Sequence, residues 1–221
     1  MRIALLGGTG DIGEGLALRW ARDTDHGVVV GSREADKART KADEYNSTLA
    51  DRGVDAAIEA HENPDAAADA DVVVCTVPAY HLADTIDAVA DDLDGSVLVS
   101  PAVGMQRDEA GLHYNPPGVG SVTQLAAKSA PDTVPVVGAF HNLAAGRLAD
   151  LDADLDWDVP VVADDPEAKA TVENLAADIE GLRALDAGGL ANAAEVESLT
   201  PLLINVASNN DGLHDLGVKF W

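Results

Sequence analysis

Between an apolar run, Arg2 to Leu6, and a stretch of helical periodicity lies Gly7-Gly8-Thr9-Gly10-Asp11-Ile12-Gly13. It carries the spacing G-x-G-x-x-G at Gly8, Gly10 and Gly13. A strand before and a helix after form the setting in which that spacing cradles a pyrophosphate. One glycine permits the tight turn, and the next lets backbone amides reach the phosphates. The third lets the helix pack closely on the strand. The first-turn N–H groups of the helix then face the anion. Without a ligand these residues would make only a turn; the strand–loop–helix context favours the phosphate.

The end of the next strand refines the ligand. An acid there would hold a ribose diol, but the chain reads Gly31-Ser32-Arg33. Arg33, Lys37, Arg39 and Lys41 place four of the 14 basic residues within nine positions. A 2′-phosphate accounts for this cluster: Arg33 can grip it bidentately, Lys37 follows one helical turn on, and Ser32 can donate a hydrogen bond. The reading is therefore NADP rather than NAD. Arg39 and Lys41 are expected to pair with neighbouring acids among Glu34, Asp36 and Asp43.

Further candidates lie at the ends of later strands, where open parallel sheets bind ligands. The fourth strand ends at Thr76-Val77-Pro78, with His81 soon after. The fifth ends at Ser100-Pro101 and leads to Val103, and the sixth runs into Phe140-His141-Asn142-Leu143. His141 is a crevice candidate, or alternatively a structural hydrogen-bonding histidine. His26, His61, His113 and His214 have no metal-ligand spacing and read as surface or loop residues; no metal is expected. Cys75, the only cysteine, sits inside an apolar run as a core thiol. No G-x-S-x-G elbow supports a serine hydrolase. No convincing acid is placed to protonate a carbonyl or imine. Lys169 and Lys219, the only lysines of the last seventy or so residues, have no catalytic context. The pattern favours hydride transfer between two bound cofactors over reduction of a small imine or carbonyl, with a non-catalytic NADP sensor as a third possibility.

The elements that would position these residues can be read from periodicity. Strands are expected at Arg2–Leu6, Val28–Val30, Val54–Ile58, Val72–Val77, Val97–Val99, Val134–Ala139 and Val159–Ala163. Helical spacing joins Ile12, Leu16 and Trp20; Ala38, Ala42, Tyr45 and Leu49; Leu82, Ile86, Val89 and Leu93; Val122 and Leu125; Val172, Leu175, Ile179 and Leu182; and Leu199, Leu203 and Val206. Thr200 before Pro201 is expected to cap that last helix. Leu148 to Asp158, with Asp at every second position from 150, reads as a surface connection. Apolar strands alternating with helices predict an α/β, doubly wound parallel sheet with a smaller C-terminal α/β portion, divided as residues 1–147 and 148–221.

Composition bounds the partners. The 221 residues carry 28 Asp, 11 Glu, 9 Arg and 5 Lys, for a formal charge of −25. The 47% hydrophobic content is too high for a disordered acidic chain. Such a surface argues against nucleic acid or anionic membrane as partner, and no apolar run reaches the roughly 20 residues of a membrane span. The short apolar start does not read as a signal peptide, so a cytoplasmic protein is expected. Asp-rich, Lys-poor composition resembles that of proteins from organisms that accumulate salt, where self-repulsion is screened within about 3 Å at 1 M.

Several stretches resemble the NADPH-dependent reductases of coenzyme F420, an 8-hydroxy-5-deazaflavin. They are Arg2 through Gly10, Gly31-Ser32-Arg33, Asp156 to Val161, Gly181 to Gly188, Val196 to Leu203 and Leu216 to Trp221. The resemblance implies a Rossmann-type domain that binds NADP through Thr9, Gly10, Asp11 and Ile12 with Ser32, Arg33 and Lys37. Thr76, Val77, His81, Val103 and Ala145 would line the rest of that site. The C-terminal portion would close an apolar pocket over the deazaflavin near His141 and Leu143. Hydride would pass between the stacked rings at about 3–3.5 Å, with no side chain assigned to catalysis beyond positioning, and the chain would form a homodimer. Arg107, Arg147 and Lys219 are candidates for the deazaflavin's anionic tail. Glu34 stands where the family can carry a basic residue, and Asn142 and Ala144 where it can carry Thr and Pro.

Overall fold

The computed structural model describes all residues, 1–221. The strands are β1 (Arg2–Leu6), β2 (Gly27–Ser32), β3 (Ile58–Glu62), β4 (Val72–Cys75), β5 (Val97–Ser100), β6 (Met105–Asp108), β7 (Gly111–Tyr114), β8 (Val136–Gly138), β9 (Trp157–Ala163) and β10 (Leu182–Asp186). The helices are α1 (Asp11–Asp23), α2 (Ala35–Ala50), α3 (Asn63–Ala67), α4 (Ala79–Asp87), α5 (Val122–Ser129), α6 (Ala145–Ala149), α7 (Pro166–Ala177) and α8 (Ala193–Ser208).

One eight-stranded sheet runs in the order β10-β9-β8-β5-β4-β1-β2-β3. All its pairs are parallel except β8 with β9. The doubly wound α/β expectation therefore holds. The order reverses at β1, which lies between β2 and β4, and the crevice of such a sheet opens there. Successive strand residues point to opposite faces, and both faces are buried. Ile3, Leu5, Val28, Val30, Val72 and Val74 pack under Leu16, Trp20, Tyr45 and Leu175. Ala4, Leu6, Val29, Val73 and Cys75 pack under Ala66, Leu82, Ile86 and Val122. Each fully buried Val, Leu or Ile contributes about 1.5–3 kcal/mol, so burial on both faces holds these strands at the centre of the sheet. Cys75 is the core thiol expected, its pKa pushed up to about 12 by burial.

Beyond residue 147 the chain stays in this sheet. β9 adds antiparallel to β8, and β10 adds parallel to β9. α7 starts on an Asp165 cap whose Oδ1 accepts from the amides of Glu167 and Ala168, with Pro166 in the first turn. Trp20 Nε1 donates to Leu175 O at 2.9 Å and ties α1 to α7. Arg19, 2% exposed, reaches the end of α6 and the connection that follows it. Its guanidinium donates to the carbonyls of Leu148, Arg147, Asp150 and Ala153.

Four local expectations need correction. The third strand is Ile58–Glu62, not Val54–Ile58; the Asn46 carboxamide pairs with both the N–H and the C=O of Ile58 and so fixes where the strand begins. Leu182 opens β10 rather than ending a helix. Gly181, at φ +85°, breaks the chain there, and a Cβ would strike the Leu155 carbonyl. Thr200-Pro201 does not start a helix. α8 begins at Ala193 and carries Pro201 inside it, while the Thr200 hydroxyl donates to His141 O. Asp158 is not a surface residue: it is 1% exposed and holds Arg183 at 2.8 and 2.7 Å. Asp150, Asp152, Asp154 and Asp156 do face outward, alternating with buried Leu151 and Leu155. An antiparallel hairpin, β6–β7, stands apart from the main sheet. No helix is long and apolar enough to cross a membrane.

Candidate functional site

Two cavities flank the N-terminus of α1. Thr9 and Gly10 line the first and Asp11 lines the second, so three consecutive residues divide them.

The first measures about 420 Å³. Its floor is the glycine loop, and the glycines share the labour in a way the spacing alone does not reveal. Gly7 takes the positive φ of +74°, and a Cβ there would lie 2.5 Å from Val77. Gly8 packs against Leu5, and its carbonyl accepts from Tyr45 Oη. At Gly10 a Cβ would meet nothing nearer than 3.6 Å, which leaves the backbone open to a ligand. Gly13 abuts Gly8 itself, with 2.5 Å from its virtual Cβ to Gly8 Cα, so the helix can approach the strand only without a side chain. The first intrahelical bond is Glu14 N to Gly10 O, leaving the amides of Asp11, Ile12 and Gly13 without partners inside the chain.

Ser32, Arg33, Glu34 and Lys37 form the next wall. Arg39 pairs with Asp36 at 2.8 Å, as expected, while Lys41 pairs with Glu44 at 2.6 Å rather than with Glu34, Asp36 or Asp43; both are surface ion pairs. Arg33 and Lys37 are exposed and make no salt bridge or side-chain hydrogen bond. They are two uncommitted cations at the mouth of a cavity in a chain of charge −25. Ser32 is 6% exposed; its Oγ accepts from Glu34 N at 3.4 Å. Asn63, the first residue of α3, also lines this wall. It is 7% exposed and its Oδ1 has no partner. Gly31 makes room for it: a Cβ there would lie 2.8 Å from Asn63 Oδ1. Thr76, Val77, Pro78 and His81 close the opposite side.

The second cavity, about 690 Å³, lies between Asn142–Ala145, the Leu203, Ile204 and Ala207 face of α8, Met105, and the segment His214 to Leu216. Just over half of its wall is apolar, and Asp11, Asn142, Thr200, Ser208, His214 and Asp215 are its polar points. Phe140 enters this wall at φ +66° while buried edge-on against Trp20, ring centroids 5.6 Å apart. That conformation is costly for a side chain as large as phenylalanine. The next three residues stay buried, yet the amides of His141, Asn142 and Leu143 donate to no acceptor in the chain. Asn142 Nδ2 donates to Val196 O and Thr200 Oγ1, both at 3.0 Å, and so sews the segment to α8. His141 itself is 5% exposed, behind the wall rather than in it. Burial holds its pKa down to about 3, so the ring is neutral.

The structure thus brings Thr9, Gly10, Ser32, Arg33, Lys37, Thr76, Val77 and His81 to the first cavity, with Gly8 and Gly13 shaping its loop. Asp11, Leu143 and Ala145 line the second. Ile12, Val103 and His141 line neither. His26, His113 and His214 each stand about 3 Å from a carboxylate, and His214, read as a loop residue, reaches the second cavity. Asn63 was not foreseen; the only hint in the sequence is its place just beyond a strand. Leu203, placed by helical spacing alone, faces the second cavity together with Ile204 and Ala207, which the sequence did not single out. Of the three tail candidates, Arg147 is spent on the Asp154 carbonyl and Lys219 on Asp156, while Arg107 on β6 has no partner.

Known proteins resemble this chain along nearly its whole length. A family profile described as NADP oxidoreductase, coenzyme F420-dependent, matches residues 2–104. The F420-dependent NADP reductase of Methanocaldococcus jannaschii is 39% identical over 209 residues, covering 93% of this chain and 92% of that protein. That of Methanothermobacter thermautotrophicus is 39% identical over 213 residues, covering 95% and 90%. A crystal structure from Arthrobacter sp. FB24, described as a candidate F420-dependent NADP reductase, superposes with a TM-score of 0.82 over 100% of this chain and 99% of that one. At 24% identity this likeness speaks to the fold alone.

Proposed function

The chain belongs to the F420-dependent NADP reductase family, and from that premise we propose that it transfers hydride reversibly between NADPH and coenzyme F420. The observation that carries the assignment to this chain's own residues is the pair of uncommitted cations, Arg33 and Lys37, in a cavity lined by the glycine loop that leads into the three unpaired first-turn amides of α1. Both fit the anionic groups of NADP. When bound, NADPH supplies a hydride that F420 accepts along with one proton from solution, and the reverse reaction returns both.

The protein's part is binding and alignment. The amides of Asp11, Ile12 and Gly13 take the pyrophosphate at the helix N-terminus, with Gly8, Thr9 and Gly10 letting it approach. Ser32, Arg33 and Lys37 take the 2′-phosphate, against which Glu34 sets an opposing charge. Asn63 offers a carboxamide to the same end of the dinucleotide. Thr76, Val77 and His81 hold the other wall, with Val103 beyond them. The second cavity takes the deazaflavin, where Leu143 and Ala145 exclude water. His141, behind them, acts as a support. Arg107 is the free cation for the anionic tail.

Residues 1–147 would thus hold NADP, and 148–221 would close the second pocket. Exposed Leu202, Leu213, Phe220 and Trp221 favour a homodimer. A surface on which most of the 39 carboxylates lack a basic partner favours a salt-accumulating cytoplasm. The test is to mix protein, NADPH and oxidised F420 in strong KCl and follow the loss of the deazaflavin's visible absorbance. Turnover is expected. NADPH binding without turnover would replace this reading with that of an NADP sensor.

A further inference from the structure

Beneath the wall between α5 and α8 lies a buried polar chain that the hydride transfer does not use. Glu197 on α8 is fully buried. Its Oε2 accepts from Val122 N at 3.0 Å and Tyr114 Oη at 2.9 Å. Its Oε1 accepts from Thr123 N and Thr123 Oγ1, both at 2.9 Å. The two amides belong to the first turn of α5 and cannot reverse direction. Thr123 Oγ1 also lies 3.2 Å from His141 Nε2, while His141 Nδ1 is buried with no partner.

A hydroxyl has one hydrogen to give, and a carboxylate only accepts. Thr123 gives its hydrogen to Glu197, so toward His141 it can only accept. The imidazole must then carry its proton on Nε2 and leave Nδ1 bare. We infer that Glu197 is a positioning residue: through Thr123 it fixes the Nε2–H tautomer and the ring orientation of His141, and with them the free amides of the adjoining Asn142 and Leu143 at the second cavity. Its reach is extended by Thr200, three residues along α8, which accepts from Asn142 Nδ2 and donates to His141 O. The groups around the ring agree. Tyr114 is held in its protonated form, its pKa raised by burial and then by the Glu197 charge, and so it donates to the carboxylate. No other titratable side chain bonds His141. The consequence for the reaction is that His141 is neither proton donor nor proton store; it sets backbone geometry.

The link to F420 rests on the reading of the second cavity given above, but the tautomer does not, and the experiment separates them. Long-range 15N–1H correlation spectra of the full-length protein report which imidazole nitrogen bears the proton. The wild type should show His141 in the Nε2–H form, unchanged from pH 8 to pH 5. T123S, which keeps the hydroxyl, should preserve both this form and the KM for F420. T123V removes the acceptor; it should mix the tautomers and raise the KM for F420 by about fivefold, the worth of one hydrogen bond of about 1 kcal/mol. Its KM for NADPH should stay within twofold. An Nδ1–H tautomer in the wild type overturns the inference. So does a T123V protein with unchanged tautomer and KM, or one in which both KM values rise together. If T123V does not fold, the wild-type and T123S spectra decide alone. Absence of F420 turnover by a wild type that shows the Nε2–H form would refute the functional reading and leave the tautomer standing.

Discussion

Arg33 is the most direct probe of cofactor choice, because nothing within the chain competes for its guanidinium. Truncation to alanine therefore leaves no orphaned partner, and the loss measured is that of the ligand contact alone. A charge-assisted, bidentate hydrogen bond to a phosphate is worth about 1.5–3 kcal/mol, which is roughly a 10- to 150-fold rise in the Kd of NADPH. Exposure at the cavity mouth argues for the lower part of that range, since solvent and salt screen the charge. NADH lacks the 2′-phosphate and should lose less than twofold. Lys37→Ala removes one solvated point charge and should cost about 0.2–1 kcal/mol, up to roughly fivefold. Glu34 supplies a control of opposite sign: Glu34→Gln removes the acid from the same wall and should tighten NADPH binding while leaving NADH alone. The assay is fluorescence titration of each variant with both nucleotides at low and high KCl. Arg33→Ala weakening NADPH and NADH equally would refute the 2′-phosphate assignment. So would a Glu34→Gln protein that binds NADPH less well.

Other expectations concern the scaffold. Arg19→Met leaves the carbonyls of Arg147, Leu148, Asp150 and Ala153 without their shared donor; at about 1–3 kcal/mol for each buried group left unpaired, two such losses already cost about 3–5 kcal/mol, a fall in Tm of roughly 6–20 °C for a chain of this size, read by calorimetry. Asp158, hydrogen-bonded to Arg183 and to Phe220 N, has its pKa lowered to about 2. Its stabilising contribution is complete above the ordinary carboxylate range and is lost as pH falls from about 4 through 2, so Asp158→Asn should be less stable at pH 7 and show a flatter acid-unfolding profile over that window. Raising KCl should raise Tm by screening the repulsion among unpaired carboxylates; a Tm that does not move would remove the case for adaptation to salt.

Much of the site was legible in the sequence because local chemistry dictates it. A glycine loop between strand and helix and a basic cluster after a second strand mean the same thing in almost any surroundings. The expectation failed where distant contacts decide. Arg19 reads as a polar residue on an amphipathic helix, yet carbonyls about 130 positions away bury it. Asp158 looks like one more acid in an alternating acidic run until Arg183 and the last residues close over it. Pro201 reads as a helix start, but α8 is held from Ala193 onward by Glu197 beneath α5, and packing outweighs the missing donor. Met105–Asp108 has no apolar alternation, so its hairpin was invisible; Asn205 on α8 bonds both the N–H and the C=O of Leu112 on the facing strand.

Thr9, Gly10 and Asp11 are a stretch of backbone that the two chambers share, the first two lining one and the third lining the other. Neither chamber can be reshaped without disturbing the other, because a shift of this stretch is felt on both sides. Any such shift obeys reciprocity: if filling one side changes affinity on the other by some factor, filling them in the opposite order changes it by the same factor. With NADP and F420 seated as proposed, substitutions in Thr9, Gly10 or Asp11 should move both binding constants together, in contrast to Arg33, whose influence ends at one mouth.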